Sequence, residues 1–124
     1  MKNDTLVILN TIAQSIFDKK GINILALDVR DISTITDFVI IAEGNVDRHV
    51  VAIAQNIQND LKLLGEKSIY VEGLEYGDWV VLDYLNVMVH LFMPGMRDKY
   101  QLEKLWGEGK IVDLNIVVSQ NLSY

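Results

Sequence analysis

The fold is decided by Phe38-Val39-Ile40-Ile41-Ala42, an unbroken apolar stretch that is followed by Glu43 and Gly44. Successive side chains of a β-strand point to opposite faces, so this stretch is apolar on both faces of a sheet. A strand of this kind belongs in the middle of a sheet that is covered on both sides. We therefore predict a central strand over residues 37–43, and Gly44 breaks its pattern.

Helices and further strands flank this central strand in the sequence. Apolar residues at three- and four-residue spacing predict the helices, and short alternating or apolar runs predict the strands. The predicted elements are a helix over 4–20, strands over 22–29 and 37–43, a helix from Asn45 or Asp47 to 64, strands over 68–72, 79–83 and 87–92, a helix over 94–106 and an edge strand over 112–118. This order predicts an α/β (α+β) fold in which helices cover a mixed five-stranded sheet. We expect a single domain over residues 1–110, followed by a C-terminal edge strand and a loose tail over 111–124.

The ends and apolar faces of the two long helices follow from specific residues. We expect Asn3 or Asp4 to cap the first helix and Asn45 or Asp47 to cap the second, and we expect Gly21 and Gly65 to end the first and second helices. The predicted buried residues of the first helix are Leu6, Leu9, Ala13, Ile16 and Phe17. Those of the second helix are Val50, Ala54, Ile57, Leu61 and Leu64.

Composition limits the class of protein. The chain has 124 residues, a formal net charge of -6 and no cysteine. It therefore has no disulfide framework, which fits a reducing compartment, and we expect a cytoplasmic protein. No apolar run approaches the roughly 20 residues that a membrane span needs, and residues 1–20 do not have the pattern of a signal peptide.

The acidic charge is concentrated in one stretch. The chain has 17 acidic and 11 basic side chains, which disfavours direct binding to nucleic acid. Between Lys67 and Arg97 the only basic residue is His90. The acidic residues of this stretch are Glu72, Glu75, Asp78 and Asp83, and they alternate with aromatic residues. The stretch is either a solvated rim of a hairpin or an acidic, aromatic surface for a basic partner.

Several kinds of active site are excluded by the residues that they need. A metal-dependent nucleotidyltransferase holds its metal with two carboxylates at positions i and i+2 of one strand, and no two acidic residues here have that spacing. The chain has 2 histidines and no cysteine, so we expect no metal site. It also lacks a phosphate-binding loop and a serine nucleophile elbow, and we expect no cofactor.

One group of residues on the predicted hairpin could carry chemistry. If Asp83 lies opposite Met88, one face of the hairpin carries Trp79, Val81, Asp83, Met88, His90 and Phe92. Asp83 and His90 are then diagonal neighbours and could form a hydrogen bond. They are either an acid–base pair or a histidine that is held by a carboxylate and supports the tryptophan. Trp79 is either a core residue or a partly exposed anchor at an interface.

Several motifs together resemble a known family. They are Ser33–Gly44, Arg48-His49-Val50, Glu72-Gly73, a W-x-x-x-D block from Trp79 to Asp83, a V-x-V-H-x-F block from Val87 to Phe92, and an R-x-x-Y-x-L-E-x-L-W block from Arg97 to Trp106. In this order they are similar to the ribosomal silencing factor family, also called Iojap-like proteins. The resemblance extends from about Leu6 to Gly107.

The resemblance implies a function and a set of site residues. Members bind the large ribosomal subunit through its basic ribosomal protein fourteen, block joining of the small subunit and repress translation. They resemble nucleotidyltransferases without the catalytic carboxylates, are often homodimers off the ribosome, and need no contact with nucleic acid or a membrane. The implied partner-contact residues are Trp79, Asp83 and Tyr84, with Glu72 and His90 in adjacent motifs. The implied structural or supporting residues are Asp37, Arg97, Tyr100, Glu103 and Trp106, with a carboxylate as a partner for Arg97.

Three positions depart from the family pattern, and two other functions stay open. Leu85 stands where members carry glycine, Gly95 replaces an acidic residue, and Asn45-Val46-Asp47 replaces a turn richer in hydroxyl groups. One alternative function is an enzyme that uses Asp83 and His90 on a nucleotide or a small ester. The other is a dimeric scaffold whose acidic face recruits a different basic protein.

Overall fold

The computed structural model describes residues 4–96 and 109–117. The elements are α1 (Thr5–Asp18), β1 (Ile22–Asp28), β2 (Phe38–Glu43), α2 (Asp47–Leu63), β3 (Tyr70–Glu72), β4 (Trp79–Asp83), β5 (Val87–Phe92) and β6 (Lys110–Ile111). Most of the predicted third helix and the end of the tail lie outside the described residues. None of the helices within the described ranges combines the length and the apolarity that crossing a bilayer requires.

The strands form one mixed sheet with the order β3-β4-β5-β2-β1-β6. β2 and β5 pair in parallel, and every other neighbouring pair is antiparallel. The predicted α+β fold is therefore confirmed. The sheet consists of the predicted five strands and a short sixth strand from the C-terminal segment.

β2 lies inside the sheet, as its apolar sequence predicts. Its residues Val39, Ile40, Ile41 and Ala42 are each 0% exposed. Ile40 and Ala42 point into the larger core, which the two helices cover, whereas Val39 and Ile41 point into a second cluster on the opposite face. A strand that is buried on both faces needs no polar residues, which explains its unbroken apolar run.

α1 buries three of its predicted core residues, Leu9, Ala13 and Ile16, but its apolar face is shifted from the predicted one. Asp4 caps the helix as expected, because its Oδ1 accepts the Leu6 N–H at 2.9 Å. Leu6 itself is 49% exposed, whereas Ile8 and Ile12 are buried. The predicted apolar face was therefore shifted, since α1 carries more apolar residues than one face can bury.

Gly21 follows the end of α1 and its N–H donates to the Ile16 carbonyl at 2.8 Å, but the left-handed residue that ends the helix is not Gly21. The helix ends at Asp18, and Lys20 adopts the left-handed conformation, with φ 63°. Gly21 is buried, and a Cβ there would lie 2.3 Å from Ile16 Cγ2. Glycine is therefore needed at this position for close packing against α1.

α2 begins without the side-chain cap that we predicted and ends as predicted. The N-cap is Val46 and has no side-chain cap, so neither Asn45 nor Asp47 serves as the N-cap residue. Instead, His49 Nδ1 accepts the Asn45 N–H at 2.8 Å, and its Nε2 donates to the Lys19 carbonyl at 2.6 Å. His49 therefore ties the start of α2 to the end of α1.

Gly65 ends α2, with φ 82°. The Glu66 N–H donates to the Leu61 carbonyl and the Gly65 N–H to the Lys62 carbonyl, each at 2.9 Å. This pair of hydrogen bonds is a Schellman motif, which favours glycine at this position. Leu64 follows the helix and is 36% exposed rather than buried.

The predicted edge strand over 112–118 is wrong in its position. The strand is limited to Lys110–Ile111, the Val112 N–H still donates to the Ala26 carbonyl of β1 at 2.9 Å, and residues 115–117 lie along α1. The Asn115 N–H donates to Asn10 Oδ1 at 2.9 Å, and the Val117 backbone bonds with the Gln14 amide at 2.6 and 3.0 Å. The predicted alternation is nevertheless real, because Val112, Leu114 and Ile116 pack against the core. Side-chain amides of α1 take the place of a neighbouring strand here.

Candidate functional site

The hairpin of β4 and β5 has the register that the sequence predicts. Asp83 lies opposite Met88, Val81 opposite His90, and Trp79 opposite Phe92. Directly opposed residues share a face, so these six side chains lie on one face of the sheet. We call it the hairpin face, and it is the face opposite the two helices, because the helices pack on Val80, Leu82, Val89 and Leu91.

Trp79 is held at the centre of an aromatic cluster on the hairpin face. Its indole Nε1–H donates to His90 Nδ1 at 3.1 Å. Its ring stacks on Phe92 with a centroid distance of 5.2 Å and an interplanar angle of 28°. His90 is nearly parallel to Phe92, at 6.3 Å and 11°. Trp79 is half-buried, so the cluster fixes a side chain that still reaches the surface.

His90 is buried and neutral. It is 6% exposed, and burial lowers its pKa from 6.5 to about 4, because water no longer solvates the charged imidazolium. Since Nδ1 accepts the indole N–H, the ring proton must be on Nε2. Nε2 has no hydrogen-bond partner within the described part of the chain.

The predicted hydrogen bond between Asp83 and His90 is wrong. Asp83 Oδ1 instead accepts the Leu85 N–H at 2.8 Å, within the turn between β4 and β5. His90 has a diagonal neighbour on each side, and the diagonal distance between strands suits long or aromatic side chains. Trp79 therefore reaches His90, whereas the short Asp83 bonds to its own turn. No acid–base pair forms between these two residues.

Tyr84 lies apart from the other predicted contact residues. It is 8% exposed and packs in the core under the helices, on the face of the sheet opposite Trp79. Burial raises the pKa of its hydroxyl group to about 12. Its side chain therefore supports the sheet from within.

β3 adds two exposed side chains to the hairpin face. Tyr70 pairs with Asp83, and Glu72 pairs with Val81, so both point to the same side as Trp79. The Glu72 carboxylate raises the pKa of Tyr70, which is 53% exposed. We define the acidic face as Tyr70, Glu72, Trp79 and Asp83. Tyr70 is one of the aromatic residues that alternate with the acidic residues in the sequence, and its two-residue spacing from Glu72 is a signal for a shared face.

Gly73 closes the turn beside Trp79. Its φ is 91°, and a Cβ at this position would lie 2.0 Å from the Trp79 carbonyl oxygen. Asp78 bonds to the Trp79 backbone N–H at 3.0 Å from the other side. The Glu72-Gly73 motif therefore places β3 against the start of β4.

The remaining predicted residues have structural positions or lie outside the described ranges. The Asp37 N–H donates to the Asn86 carbonyl at 3.2 Å, and the Asp37 carbonyl accepts the Val29 N–H at 2.9 Å. Asp37 therefore joins the end of β1 to the β4–β5 turn. Arg97, Tyr100, Glu103 and Trp106 are outside the described residues. Within residues 4–96 and 109–117, no group of three or more histidine, aspartate and glutamate side chains could hold a metal ion.

Comparison with known proteins shows the family. The family model described as "Ribosomal silencing factor during starvation" matches residues 2–123. The chain belongs to the ribosomal silencing factor family. The match extends beyond the motifs between Leu6 and Gly107 and includes most of the C-terminal segment.

Individual relatives agree with this family. The chain is 38% identical to the ribosomal silencing factor of Bacillus subtilis (strain 168), over 91% of this chain and 96% of the relative. A crystal structure of a protein from Chromobacterium violaceum has a TM-score of 0.83 and 31% identity, over 98% of this chain and all of that chain. A murine relative, "Mitochondrial assembly of ribosomal large subunit protein 1", is 32% identical over 57% of this chain and 32% of its own length. The names of the bacterial and murine relatives thus refer to ribosome silencing and to assembly of the large ribosomal subunit.

Proposed function

We propose that this member of the family binds the large ribosomal subunit through ribosomal protein fourteen, sterically blocks joining of the small subunit and thereby represses translation. The protein acts in the cytoplasm and contacts its partner through the acidic face. The observation that carries this proposal is the common orientation of Tyr70, Glu72, Trp79 and Asp83 on the side of the sheet opposite α1 and α2.

The charge of the acidic face suits a basic partner protein. Residues 68–96 contain no lysine or arginine, and both carboxylates of the acidic face lie in this range. Opposite charges mainly increase the association rate and orient the partners, whereas buried aromatic anchors contribute most of the affinity. Trp79 is the anchor in this proposal, and Glu72 and Asp83 supply the charge.

Two residues act from inside the protein rather than in direct contact with the partner. Tyr84 is buried under the helices, and His90 is buried beside Trp79, to which it is hydrogen-bonded. The burial of His90 also weakens the alternative of an enzyme that uses Asp83 and His90, because a general acid or base must reach its substrate. We therefore assign no catalytic role to Asp83 or His90.

Off the ribosome the protein is a homodimer in this proposal. Light scattering of the purified chain tests this point directly, and a monomer at micromolar concentration would contradict it. A dimer by itself would also suit a scaffold for another basic protein, so the ribosomal partner needs its own test.

Substitution of Trp79 tests the contact face. Trp79→Ala removes the proposed anchor, and we expect the variant to stay folded and to bind large subunits at least about 30-fold more weakly, a typical cost of losing a central aromatic residue. The measurement is co-sedimentation with purified large subunits, with circular dichroism as a check on folding.

Tyr76→Ala is the matched control. Tyr76 is an aromatic residue of the same acidic stretch and is 72% exposed, but it lies beside α2 instead of on the acidic face. We expect this variant to bind normally. Normal co-sedimentation of a folded Trp79→Ala variant would show that the contact face is wrong.

A further inference from the structure

The indole of Trp79 is fixed by a buried polar group. Its Nε1–H donates to His90 Nδ1 at 3.1 Å, and its ring lies on Phe92. His90 comes from the neighbouring strand, opposite Val81, so its position is set by the sheet. A buried acceptor atom on the same face of the sheet therefore helps to fix the orientation of this half-buried tryptophan, together with the ring contact to Phe92.

Stability alone does not explain a histidine at this position. Nε2 of His90 is buried and has no hydrogen-bond partner within the described part of the chain. A buried donor without a partner destabilises the folded state, and an apolar side chain of similar size would avoid this cost. Trp79 is half-buried, so water could serve its indole N–H if His90 were replaced. His90 Nδ1 thus contributes to the orientation of the Trp79 indole more than to the stability of the fold.

We infer that His90 is a positioning residue for partner recognition, which holds the Trp79 indole in the orientation that the partner meets. This inference rests on the proposed function, in which Trp79 anchors the contact. It also specifies the chemistry of that contact. Because the indole N–H is already bonded to His90, Trp79 meets the partner with its ring, which suits the aliphatic stem and cationic head of a lysine or arginine side chain.

Two substitutions of His90 separate positioning from packing. His90→Phe keeps a flat ring of similar size but removes the acceptor, whereas His90→Asn keeps an acceptor oxygen near the position of Nδ1. We expect His90→Phe to bind large subunits about tenfold more weakly and His90→Asn to recover part of this loss, since one oriented hydrogen bond is worth about that factor. We expect His90→Phe to be at least as stable as the unmodified chain in urea denaturation.

Nuclear magnetic resonance reports the hydrogen bond independently of the ribosome. The indole ¹H–¹⁵N resonance of Trp79 is assigned by its absence in Trp79→Phe. We expect slow hydrogen exchange at this indole in the unmodified chain, fast exchange in His90→Phe and intermediate exchange in His90→Asn.

The outcomes distinguish this inference from the proposed function. If Trp79→Ala weakens binding but His90→Phe binds normally after losing indole protection, the positioning role is overturned and the contact face stands. If His90→Phe loses stability together with binding, His90 is a packing residue and the inference is also overturned. If Trp79→Ala binds normally, the proposed contact face fails, and the positioning role fails with it even where the indole stays protected.

Discussion

The imidazole of His90 links the stability of the protein to pH. Its pKa is about 4 in the folded chain, compared with an ordinary value of 6.5. Between these values the unfolded chain binds a proton that the folded chain does not, so the free energy of unfolding falls as the pH falls. Neutral His90 therefore contributes fully to the free energy of unfolding above about pH 6.5. About 3 kcal/mol of this free energy is lost when the pH falls to about 4.

Urea denaturation across this pH range tests the prediction, with His90→Phe as the comparison. Other groups also titrate there, so the relevant quantity is the difference between the two proteins. We expect the unmodified chain to lose more stability than the variant on acidification. Parallel losses would mean that His90 is not buried in its neutral form.

Leu85 adopts a backbone conformation that disfavours leucine. Its φ is 74°, and it is 57% exposed, so its side chain gains little from burial. The left-handed conformation costs about 1–2 kcal/mol for such a residue, and glycine would remove this cost. Glycine also makes the unfolded chain more flexible, which offsets about half of the stability that is gained. We expect Leu85→Gly to stabilise the protein by about 0.5–1 kcal/mol in thermal or urea denaturation.

Leu85→Ala is the control for this substitution. It removes the same side chain beyond Cβ but keeps the backbone preference of an ordinary residue. We expect no gain in stability from it. An equal gain in both variants would locate the cost in the exposed side chain and not in the backbone.

At the scale of residues, the sequence predicts faces better than hydrogen-bond partners. Strand alternation and the Asp83–Met88 pairing place the residues of the hairpin face correctly. The partner of His90 was predicted wrongly because two diagonal neighbours compete for it, and sheet geometry together with side-chain length decides between them. The burial of Tyr84 depends on the helices that cover its face, which a single strand does not reveal.

At the scale of elements, the turn between β3 and β4 sets the position of Trp79. Gly73 combines a φ of 91° with a contact that leaves no room for a Cβ. Gly73→Ala therefore destabilises the folded state in two ways, because the backbone conformation disfavours alanine and because the Trp79 carbonyl must move. We expect a loss of about 3 kcal/mol in the free energy of unfolding, with a shift in Trp79 fluorescence.

Gly65→Ala is a matched control for the Gly73 substitution. Gly65 has a similar φ of 82°, but a Cβ there would meet no atom within 4 Å. We expect a loss of about 1 kcal/mol and no change in fluorescence, because only the backbone conformation is disfavoured. Equal losses in the two variants would show that the contact with Trp79 has no energetic effect.

Elements with strong local signals are predicted well from the sequence. The apolar run of β2, the Asp4 cap and the Gly65 stop are each specified by a few adjacent residues, and all three are confirmed. Elements that depend on distant contacts are predicted less well. The C-terminal segment alternates like a strand, but the amides of Asn10 and Gln14, about 100 residues earlier, hold it against α1.

At the scale of the whole molecule, α1 and α2 lie on one side of the sheet and the acidic face lies on the other. This division concentrates negative charge where a basic partner would dock. We expect the association rate with large subunits to fall about tenfold as the ionic strength rises from about 0.01 M to about 0.15 M, because the screening length shortens from about 30 Å to about 8 Å.

Charge-neutralising substitutions test whether the acidic face causes this salt dependence. Glu72→Gln with Asp83→Asn removes two charges, and asparagine can still accept the hydrogen bond of the Leu85 turn. We expect slower association and a weaker salt dependence, measured by stopped-flow fluorescence. Asp113→Asn, an exposed carboxylate on the C-terminal segment, serves as the control and should associate normally. An unchanged salt dependence in the double variant would contradict steering by this face.

The most direct test of the account is reassociation of ribosomal subunits in a sucrose gradient. Purified large subunits are incubated with the protein, small subunits are added, and the fraction of joined ribosomes is measured. We predict that the unmodified chain keeps the subunits apart and that Trp79→Ala, although folded, lets them join. Normal joining in the presence of excess unmodified protein would contradict the account.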